Sequence, residues 1–559
     1  MVVFSRDGRQ IVLRDYQEKA VETLAEGFKN KKFLVLNDAP GSGKTIVALE
    51  TLSRLIDKDS TVIVLVPYLY AMRSWLSFFA IGEDGIELRP EPFYAKDHFK
   101  CLLDGSKKAT DRHIPCNLKT SILDRMAKCP FYAPPISSPP EGSVVLGKYR
   151  TLMGRELKVY VRKEAVGRDR EMCDYYAQFD KFLEGAGARV IVMTYSKFLI
   201  MFVSGLLPHF DWLVLDEIEE VFNSFYPSLE FDSTIFAEIF KYVDRPDKEL
   251  VEQVVACKRD VDAGRPLSTE CLQILKRIVE EREEPTPVFR FNSQLRTIVE
   301  KGRFMVIADA FSEIMNWIDK LNVKVLGLTG TPLDQDKFRQ LIRAEDIYSF
   351  NTKMPGKFLL IDDPRLPKVK VSGIWFKHEH IYRDKVNEVC DIFIQAYEYS
   401  MKLDIPIFIP IISYRHAKAC RFSDFGIEID DGTHIDRFLS GERRVLATTR
   451  ATRGVHFPFP ATLVLLLKYP RPDIESLRHK FFSKTRLRYV TDLEAESTFI
   501  QILGRGVSRE SSIVVVVSPD KDVHDYMISK KGKVFDLEVL SLEKAKEVIE
   551  SNKISAISR

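Results

Sequence analysis

The chain contains two series of continuous apolar runs that are rich in β-branched side chains. Such runs are typical of strands in a parallel sheet covered on both faces, because no alternate position has to face water. They predict two α/β domains, one before residue 330 and one that starts near residue 358. The runs lie at residues 33–36, 62–66, 190–193, 212–215 and 325–328, and at residues 358–361, 407–409, 444–447, 462–467 and 513–517.

Two stretches without this pattern interrupt the first domain. Residues 94–182 have little periodicity and many prolines, so their order has to come from something other than a hydrophobic core, such as a metal centre. Residues 221–320 carry amphipathic helical patterns, for example at 248–255 and 270–279, and predict a small α-rich domain. The predicted organisation is a first α/β domain in three parts (1–93, 183–220 and 321–345), insertions at 94–182 and 221–320, and a second α/β domain at 346–559.

A glycine-rich loop joins the first apolar run to a helical pattern. Residues 38–45 read Asp-Ala-Pro-Gly-Ser-Gly-Lys-Thr. Gly41 and Gly43 let backbone N–H groups turn towards a phosphate at the positive end of the following helix. Lys44 can reach the β- and γ-phosphates and Thr45 can hold Mg²⁺, so the loop predicts a site for ATP and Mg²⁺. The full Walker pattern would begin with glycine at position 38, where this chain has aspartate.

Residues outside the loop are candidates for further nucleotide contacts. The sequence Arg-Asp-Tyr-Gln at 14–17 opens an amphipathic helix upstream of the loop, and Gln17 can frame the edge of an adenine. Within the loop itself, Ser42 is a further candidate for contact with the nucleotide. The sequence Thr-Gly-Thr-Pro at 329–332 follows an apolar run, and its hydroxyl groups can respond to the state of the phosphates.

Two acidic residues and a later basic segment complete the candidate catalytic set. Asp216 and Glu217 follow the run at 212–215, where Asp216 can hold Mg²⁺ through water and Glu217 can orient and deprotonate an attacking water. The basic segment begins at Gln501. Its Arg505 or Arg509 can stabilise the charge that develops on the γ-phosphate.

The eight cysteines fall into two groups. In a chain expected to be cytoplasmic they argue against a disulfide framework, and four scattered ones (Cys257, Cys271, Cys390 and Cys420) are interpreted as core thiols. The other four precede residue 180, at Cys101, Cys116, Cys129 and Cys173. They lack the C-x-x-C pair of a zinc ribbon, and their wide spacing suits an iron–sulfur cubane. Spacing alone leaves open whether they bind a cluster or are four unrelated thiols.

Composition adds a local charge pattern to this organisation. The formal net charge of the 559 residues is only +3, so an anionic partner has to meet a locally basic surface. The insertion at 94–182 is such a region, and tyrosines are interleaved with its basic residues at positions 149, 160, 175 and 176. We expect these rings to stack on bases while the cations contact phosphates. No run of about 18 apolar residues and no signal peptide are present, so no membrane partner is expected.

Together these segments resemble superfamily 2 helicases, and within them the XPD/DinG iron–sulfur group, over nearly the whole chain. The residues that carry the resemblance are the Arg-Asp-Tyr-Gln segment, the glycine-rich loop, the contexts of the four upstream cysteines, Asp-Glu-Ile-Glu at 216–219, Lys-Tyr-Pro-Arg-Pro at 468–472 and the segment at 501–509. The fold that this resemblance implies is α/β, with two RecA-like (P-loop) motor domains, an iron–sulfur cluster insertion and an α-helical arch insertion.

The resemblance also implies a function. It implies a monomeric, ATP-dependent helicase that moves 5′ to 3′ on single-stranded DNA and acts in DNA repair, with ATP, Mg²⁺ and a [4Fe–4S] cluster as cofactors. Forked duplex DNA is the implied substrate, the cluster insertion the wedge that separates it, and the arch a docking surface for a regulatory protein.

Several positions depart from the family pattern. Glu219 replaces the usual histidine of the acidic motif, Ser508 replaces the second arginine of the last motif, and residues 453–456 read Arg-Gly-Val-His. These departures indicate a divergent paralogue. They leave two alternatives, a DNA-stimulated ATPase or translocase without processive unwinding and a nucleic-acid-binding scaffold with a silent motor.

Overall fold

The structure is a computed structural model of the whole chain. It describes residues 2–82, 84–111, 113–117, 120–168, 171–185, 187–282, 286–291, 294–331, 334–431, 433–449, 457–473, 475–485, 487–507 and 511–557. The chain divides into two compact units, the first made of Met1–Arg14, Val21–Leu34 and Thr45–Gly327, and the second of Asp15–Ala20, Val35–Lys44 and Leu328–Arg559. Among the helices of the described residues, none combines the length and the apolar character that a membrane crossing requires.

The strands are numbered here in chain order. Those up to residue 329 are β1 (Val2–Ser5), β2 (Gln10–Ile11), β3 (Phe33–Asn37), β4 (Thr61–Val66), β5 (Phe78–Ile81), β6 (Glu87–Leu88), β7 (Pro90–Pro92), β8 (Val144–Arg150), β9 (Glu156–Val161), β10 (Arg189–Thr194), β11 (Trp212–Asp216), β12 (Ser228–Asp232), β13 (Leu295–Glu300), β14 (Arg303–Ala308) and β15 (Lys324–Thr329). The later strands are β16 (Asp346–Tyr348), β17 (Lys357–Ile361), β18 (Ile407–Pro410), β19 (Val445–Thr448), β20 (Ala461–Leu465), β21 (Ile513–Val517) and β22 (Asp536–Leu540).

The α-helices follow the same scheme. Those up to residue 320 are α1 (Asp15–Asn30), α2 (Lys44–Leu55), α3 (Leu69–Leu76), α4 (Ile122–Lys128), α5 (Asp174–Ala177), α6 (Tyr195–Val203), α7 (Val221–Ser224), α8 (Lys248–Asp262), α9 (Thr269–Glu281) and α10 (Ala310–Lys320). The later helices are α11 (Gln335–Ile342), α12 (Gly373–Lys377), α13 (Glu379–Ser400), α14 (Tyr414–Ala419), α15 (His434–Leu439), α16 (Leu477–Ser483), α17 (Arg488–Gly504), α18 (Lys521–Ser529) and α19 (Leu542–Ile557).

A parallel sheet forms the centre of the first unit. Strands β11, β4, β10 and β7 are neighbours in this order and run parallel, with Val62 opposite both Trp212 and Val190. Every residue of β4 is buried. This burial on both faces is the reason why the run 62–66 is apolar throughout instead of alternating.

The second unit contains a six-stranded parallel sheet. Its strand order is β19–β18–β20–β21–β17–β22. Strands β16, β3 and β15 are also neighbours in that order, and the boundary between the units falls within β3 and within β15. Each of the apolar runs in the sequence overlaps one of the strands, so the prediction of two α/β domains is confirmed.

The two insertions contain sheets that the hydrophobic pattern did not indicate. Strands β8 and β9 pair as an antiparallel hairpin within the cysteine-containing insertion. Residues 221–320 hold helices, as expected, and also the antiparallel sheet β12–β14–β13, in which Phe231 lies opposite Phe304. A tight turn at Gly302, whose φ is 80°, joins β13 to β14.

The interpretation of the four scattered cysteines as core thiols is wrong. Cys257 and Cys271 form a disulfide between α8 and α9, and Cys390 and Cys420 form a second one between α13 and the end of α14. The Cα atoms of the two pairs are 5.6 and 4.9 Å apart, within the range that a disulfide can bridge. Helix packing brings these pairs together, and the spacing of the cysteines along the chain gives no sign of it.

Candidate nucleotide and cysteine sites

The phosphate loop, residues 38–44, runs from the end of β3 into the first residue of α2. Gly41 and Gly43 have φ angles of 79° and 85°, a conformation that glycine adopts without strain. Lys44 is the first residue of α2, so the loop leads into a helix N-terminus. A phosphate there would meet backbone N–H groups at the start of this helix.

The start of α1 braces this loop from the other side. The Gln17 side-chain amide and the Tyr16 hydroxyl both donate to the backbone carbonyl of Ser42, at 2.7 and 2.9 Å. The Ser42 hydroxyl is buried and has no hydrogen-bond partner among the described residues. A buried hydroxyl without a partner is costly, and a phosphate oxygen would satisfy it. The loop therefore fits the ATP phosphates predicted from its sequence.

The Lys44 ammonium rests on the backbone of its own loop. It donates to the carbonyl oxygens of Asp38 and Ala39, at 2.8 and 3.0 Å. The turn after β15 lies beside it: a Cβ on Gly330 would come within 3.3 Å of the Lys44 Nζ, and the Thr329 carbonyl accepts from the Asp38 N–H at 3.1 Å. Residues 329–331 therefore lie beside the phosphate loop, and their response to the phosphates stays a prediction.

The end of α17 also reaches the phosphate loop. A Cβ on Gly504 would lie 3.3 Å from the Cβ of Pro40, and Arg505, which follows directly, is buried. Gln501 lies one turn earlier on α17 and donates to the Ser497 hydroxyl at 3.3 Å. Three predicted features fall outside the described residues, namely Arg509 with Ser508, the Arg-Gly-Val-His segment and Pro332.

The two candidate acids lie at the end of β11 in the first unit. The Asp216 carboxylate accepts from the Trp75 indole N–H at 2.9 Å, and its backbone carbonyl accepts from the Tyr195 hydroxyl at 3.0 Å. Burial, and then the charges of Asp216 and the glutamates after it, raise the pKa of Tyr195 well above its usual value, so this hydroxyl stays a donor. Sequence reasoning missed Trp75, because nothing in the sequence pairs it with a residue so far along the chain.

Glu217 has a backbone conformation that is unusual for a residue with a side chain. Its φ and ψ angles are 50° and 65°, in the left-handed region. Such a residue costs about 1–3 kcal/mol, and positions of this kind cluster at functional sites. Glu219, which follows two residues later, is buried.

The four upstream cysteines come together in the first unit as free thiols. Burial, and to a smaller extent the nearby Cys116, Cys101 and Cys173, raise the pKa of the Cys129 thiol to about 11, so all four cysteines are close enough to interact. Burial also raises the pKa of Cys173. Burial thus favours the neutral form of Cys129 and Cys173, whereas a bound metal would favour their thiolates.

Cations and backbone contacts surround the thiols. The Lys96 ammonium lies 3.4 Å from the Cys116 Sγ. Arg162 is buried and donates from Nη1 to the carbonyl oxygens of Met126 and Cys129, the latter at 2.8 Å. These contacts fix the segment that carries Cys129 and place positive charge where thiolates would form.

The expectation that interleaved tyrosines stack on bases is wrong for most of them. Tyr149, Tyr160 and Tyr176 are 1%, 0% and 7% exposed, so their rings belong to the core of the insertion. Tyr149 packs against Phe182, and Tyr176 against Tyr132. A sequence shows that tyrosines alternate with cations, but not which way their rings point.

The chain resembles known proteins in part of its sequence and in its fold. Residues 10–113 match the family described as "Type III restriction enzyme, res subunit". The search of curated proteins found no match to the sequence. The solved structure named "XPD_Helicase" is 15% identical with a TM-score of 0.56 and covers 95% of this chain and 100% of its own. A second solved structure, "XPD_APO", is 13% identical with a TM-score of 0.50 and covers 93% of this chain and 100% of its own. The chain therefore has the α/β fold of these two structures, with RecA-like domains.

Proposed function

We propose that the protein is an ATP-dependent DNA helicase that moves 5′ to 3′ on single-stranded DNA and separates forked duplexes in DNA repair. The observation that carries this proposal is the phosphate loop in contact with both the 329–331 turn and the end of α17. Elements that meet at the phosphates can change position with nucleotide state, and this is what a motor needs.

In this proposal the nucleotide is held and hydrolysed by residues from several elements. Gly41, Ser42, Gly43 and Lys44 bind the phosphates, and Gln17 supports the loop from behind. Thr45 and Asp216 hold Mg²⁺, and Glu217 activates the attacking water. Gln501, Arg505 and Arg509 belong to the segment that stabilises charge on the γ-phosphate.

The second cofactor in this proposal is a [4Fe–4S] cluster on Cys101, Cys116, Cys129 and Cys173. The proximity of the four thiols and the Lys96 ammonium, 3.4 Å from the Cys116 Sγ, support it. The cluster would link the separate segments of the insertion that carry the four cysteines. Metal analysis of the anaerobically purified protein tests this assignment: iron and sulfide are expected, and a colourless protein loaded with zinc contradicts it.

The test of the function is strand displacement on duplexes with a single-stranded tail at either the 5′ or the 3′ end. We expect ATP-dependent unwinding of the 5′-tailed duplex only. Lys44→Ala should abolish it, while Lys29→Ala, which removes an exposed lysine on α1, should not. Unwinding only from 3′ tails would refute the polarity.

A DNA-stimulated translocase without processive unwinding is the second candidate. Glu219 favours it, because a buried carboxylate stands where the family pattern has the histidine that links hydrolysis to DNA binding. ATP turnover that rises with single-stranded DNA but separates no strands would favour this candidate over the helicase. DNA binding with no ATP turnover at all would instead favour a scaffold with a silent motor.

We also propose that residues 221–320 bind a regulatory protein and that the protein acts as a monomer. For a monomer, light scattering is expected to show one species with the mass of one chain, and with single-stranded DNA one species with the mass of one chain plus the DNA.

A further inference from the structure

Asp38 occupies the first position of the Walker pattern, where glycine is usual, and its side chain is buried and hydrogen-bonded. It is 1% exposed. Its Oδ1 accepts from the backbone N–H groups of Phe350 and Asn351, at 2.7 and 2.8 Å. The next residue continues the contact, because the Ala39 N–H donates to the Asn351 carbonyl at 2.7 Å.

The segment that Asp38 contacts connects β16 to β17, the strand that enters the six-stranded sheet. We call residues 350–355 the connecting segment. It follows the phosphate loop further: a Cβ on Gly41 would lie 3.5 Å from the Pro355 Cγ. Met354 lies against Gly504 at the end of α17, where a Cβ would be 3.6 Å from the Met354 Cε.

The main chain of Asp38 holds the phosphate-binding lysine. Its carbonyl oxygen is one of the two acceptors of the Lys44 ammonium, at 2.8 Å. A phosphate in the loop would compete for that ammonium, because a charge-assisted bond to phosphate is stronger than a bond to a neutral carbonyl. Asp38 thus contacts Lys44 through its backbone carbonyl and the connecting segment through its side-chain carboxylate.

The two hydrogen bonds from the connecting segment require a side-chain oxygen at position 38. Burial raises the pKa of the Asp38 carboxyl, while the hydrogen bonds from Asn351 and Phe350 and the charge of Lys44 act in the opposite direction. An asparagine could accept the same two N–H bonds without a charge. A glycine or an alanine could accept neither, and would leave two partly buried N–H groups without this acceptor.

We propose that Asp38 is a positioning residue that fastens the connecting segment to the phosphate loop and transmits nucleotide binding at Lys44 to that segment. This inference rests on the proposed nucleotide site. It assigns to the departure from the Walker pattern a role in coupling, which the usual glycine could not fill.

Hydrogen exchange at the connecting segment tests the inference. Exchange of the Phe350 and Asn351 amides is measured by mass spectrometry, with and without ADP and Mg²⁺, in the wild type and in Asp38→Ala, Asp38→Gly and Asp38→Asn. We expect these amides to exchange at least about tenfold faster in the alanine and glycine variants, and close to the wild-type rate in the asparagine variant. Asp436→Ala, an exposed substitution on α15, is the matched control and should change nothing.

The nucleotide arm of the experiment tests the coupling itself. ADP should change the exchange of the two amides in the wild type, and this response should be lost in Asp38→Ala. Wild-type exchange rates in Asp38→Ala, or an ADP response that persists in it, would overturn the inference. A separate titration with a fluorescent ADP analogue distinguishes the two failures: binding without an exchange response contradicts the coupling alone, whereas absence of binding contradicts the proposed function. If Asp38→Ala does not fold, the glycine variant provides the same comparison.

Discussion

Lys197 offers a quantitative test of the electrostatics beside the cysteine site. It lies on α6 and is 4% exposed, and its ammonium donates to the Tyr175 hydroxyl at 2.8 Å. The rings of Phe93 and Tyr175 lie 5.0 and 4.6 Å from its Nζ. Burial, and then the charge of Lys96, lower the pKa of Lys197 from 10.5 to about 7.

The sign of the effect follows from which state binds more protons. Between pH 7 and 10.5 the unfolded lysine is protonated while the folded one is largely neutral, so the free energy of unfolding rises with pH in this window. The slope is at most about 1.4 kcal/mol per pH unit. Above pH 10.5 Lys197 is neutral in both states and does not lower the free energy of unfolding. As the pH falls to about 7, the free energy of unfolding decreases by up to about 5 kcal/mol, because the unfolded lysine takes up a proton more readily than the buried one.

The perturbation is Lys197→Met, which keeps the length of the side chain and removes its charge. The variant also loses the hydrogen bond to Tyr175, which costs about 1 kcal/mol. We expect it to be more stable than the wild type near pH 7.5. This advantage should shrink by about 2–3 kcal/mol when the pH is raised to about 9.5.

The assay is guanidinium unfolding followed by tryptophan fluorescence. Trp75, Trp212 and Trp317 belong to the first unit, and a Trp375→Phe background removes the remaining reporter from the second. Lys258→Met, at an exposed position on α8, is the control and should show no such pH dependence. A stability difference that is the same at both pH values, or a variant that is less stable at both, would refute the reasoning.

Three further predictions concern other parts of the chain. Replacing Cys390 and Cys420 by alanine opens a loop with a sequence separation of 30 residues and should lower the free energy of unfolding by about 3–4 kcal/mol, and an unchanged melting temperature would contradict this. Arg162→Met should lower the iron bound per chain, because it removes the donor to the Cys129 carbonyl, and full iron content would argue against that role. Glu217→Gln should slow ATP turnover by about a hundredfold or more without weakening ADP binding, and turnover at the wild-type rate would exclude Glu217 as the residue that activates water.

The strands of both α/β domains were predictable because their signal is local. A run such as 62–66 is apolar at every position only when both faces of the strand are covered. The phosphate loop was predictable for a similar reason, since its glycines and the lysine lie within a few residues of one another. The β8–β9 hairpin was missed because exposed apolar residues, Val144 among them, blur the alternation that marks a half-buried strand.

Features that depend on distant parts of the chain were not predictable. The partners of Asp38 lie at positions 350 and 351, and the Trp75 contact with Asp216 joins two elements that only the sheet brings together. The two disulfides were misread for the same reason, because sequence spacing does not report the distance between helices. The buried tyrosines show a different limit, since residue type and spacing do not fix the direction of a ring.

The central claim is that the phosphate loop drives a DNA-dependent motor, and steady-state ATP hydrolysis with and without single-stranded DNA tests it most directly. The account predicts turnover that rises with added DNA in the wild type and is lost in Lys44→Ala. Turnover that does not respond to DNA, or that survives in Lys44→Ala, would contradict it.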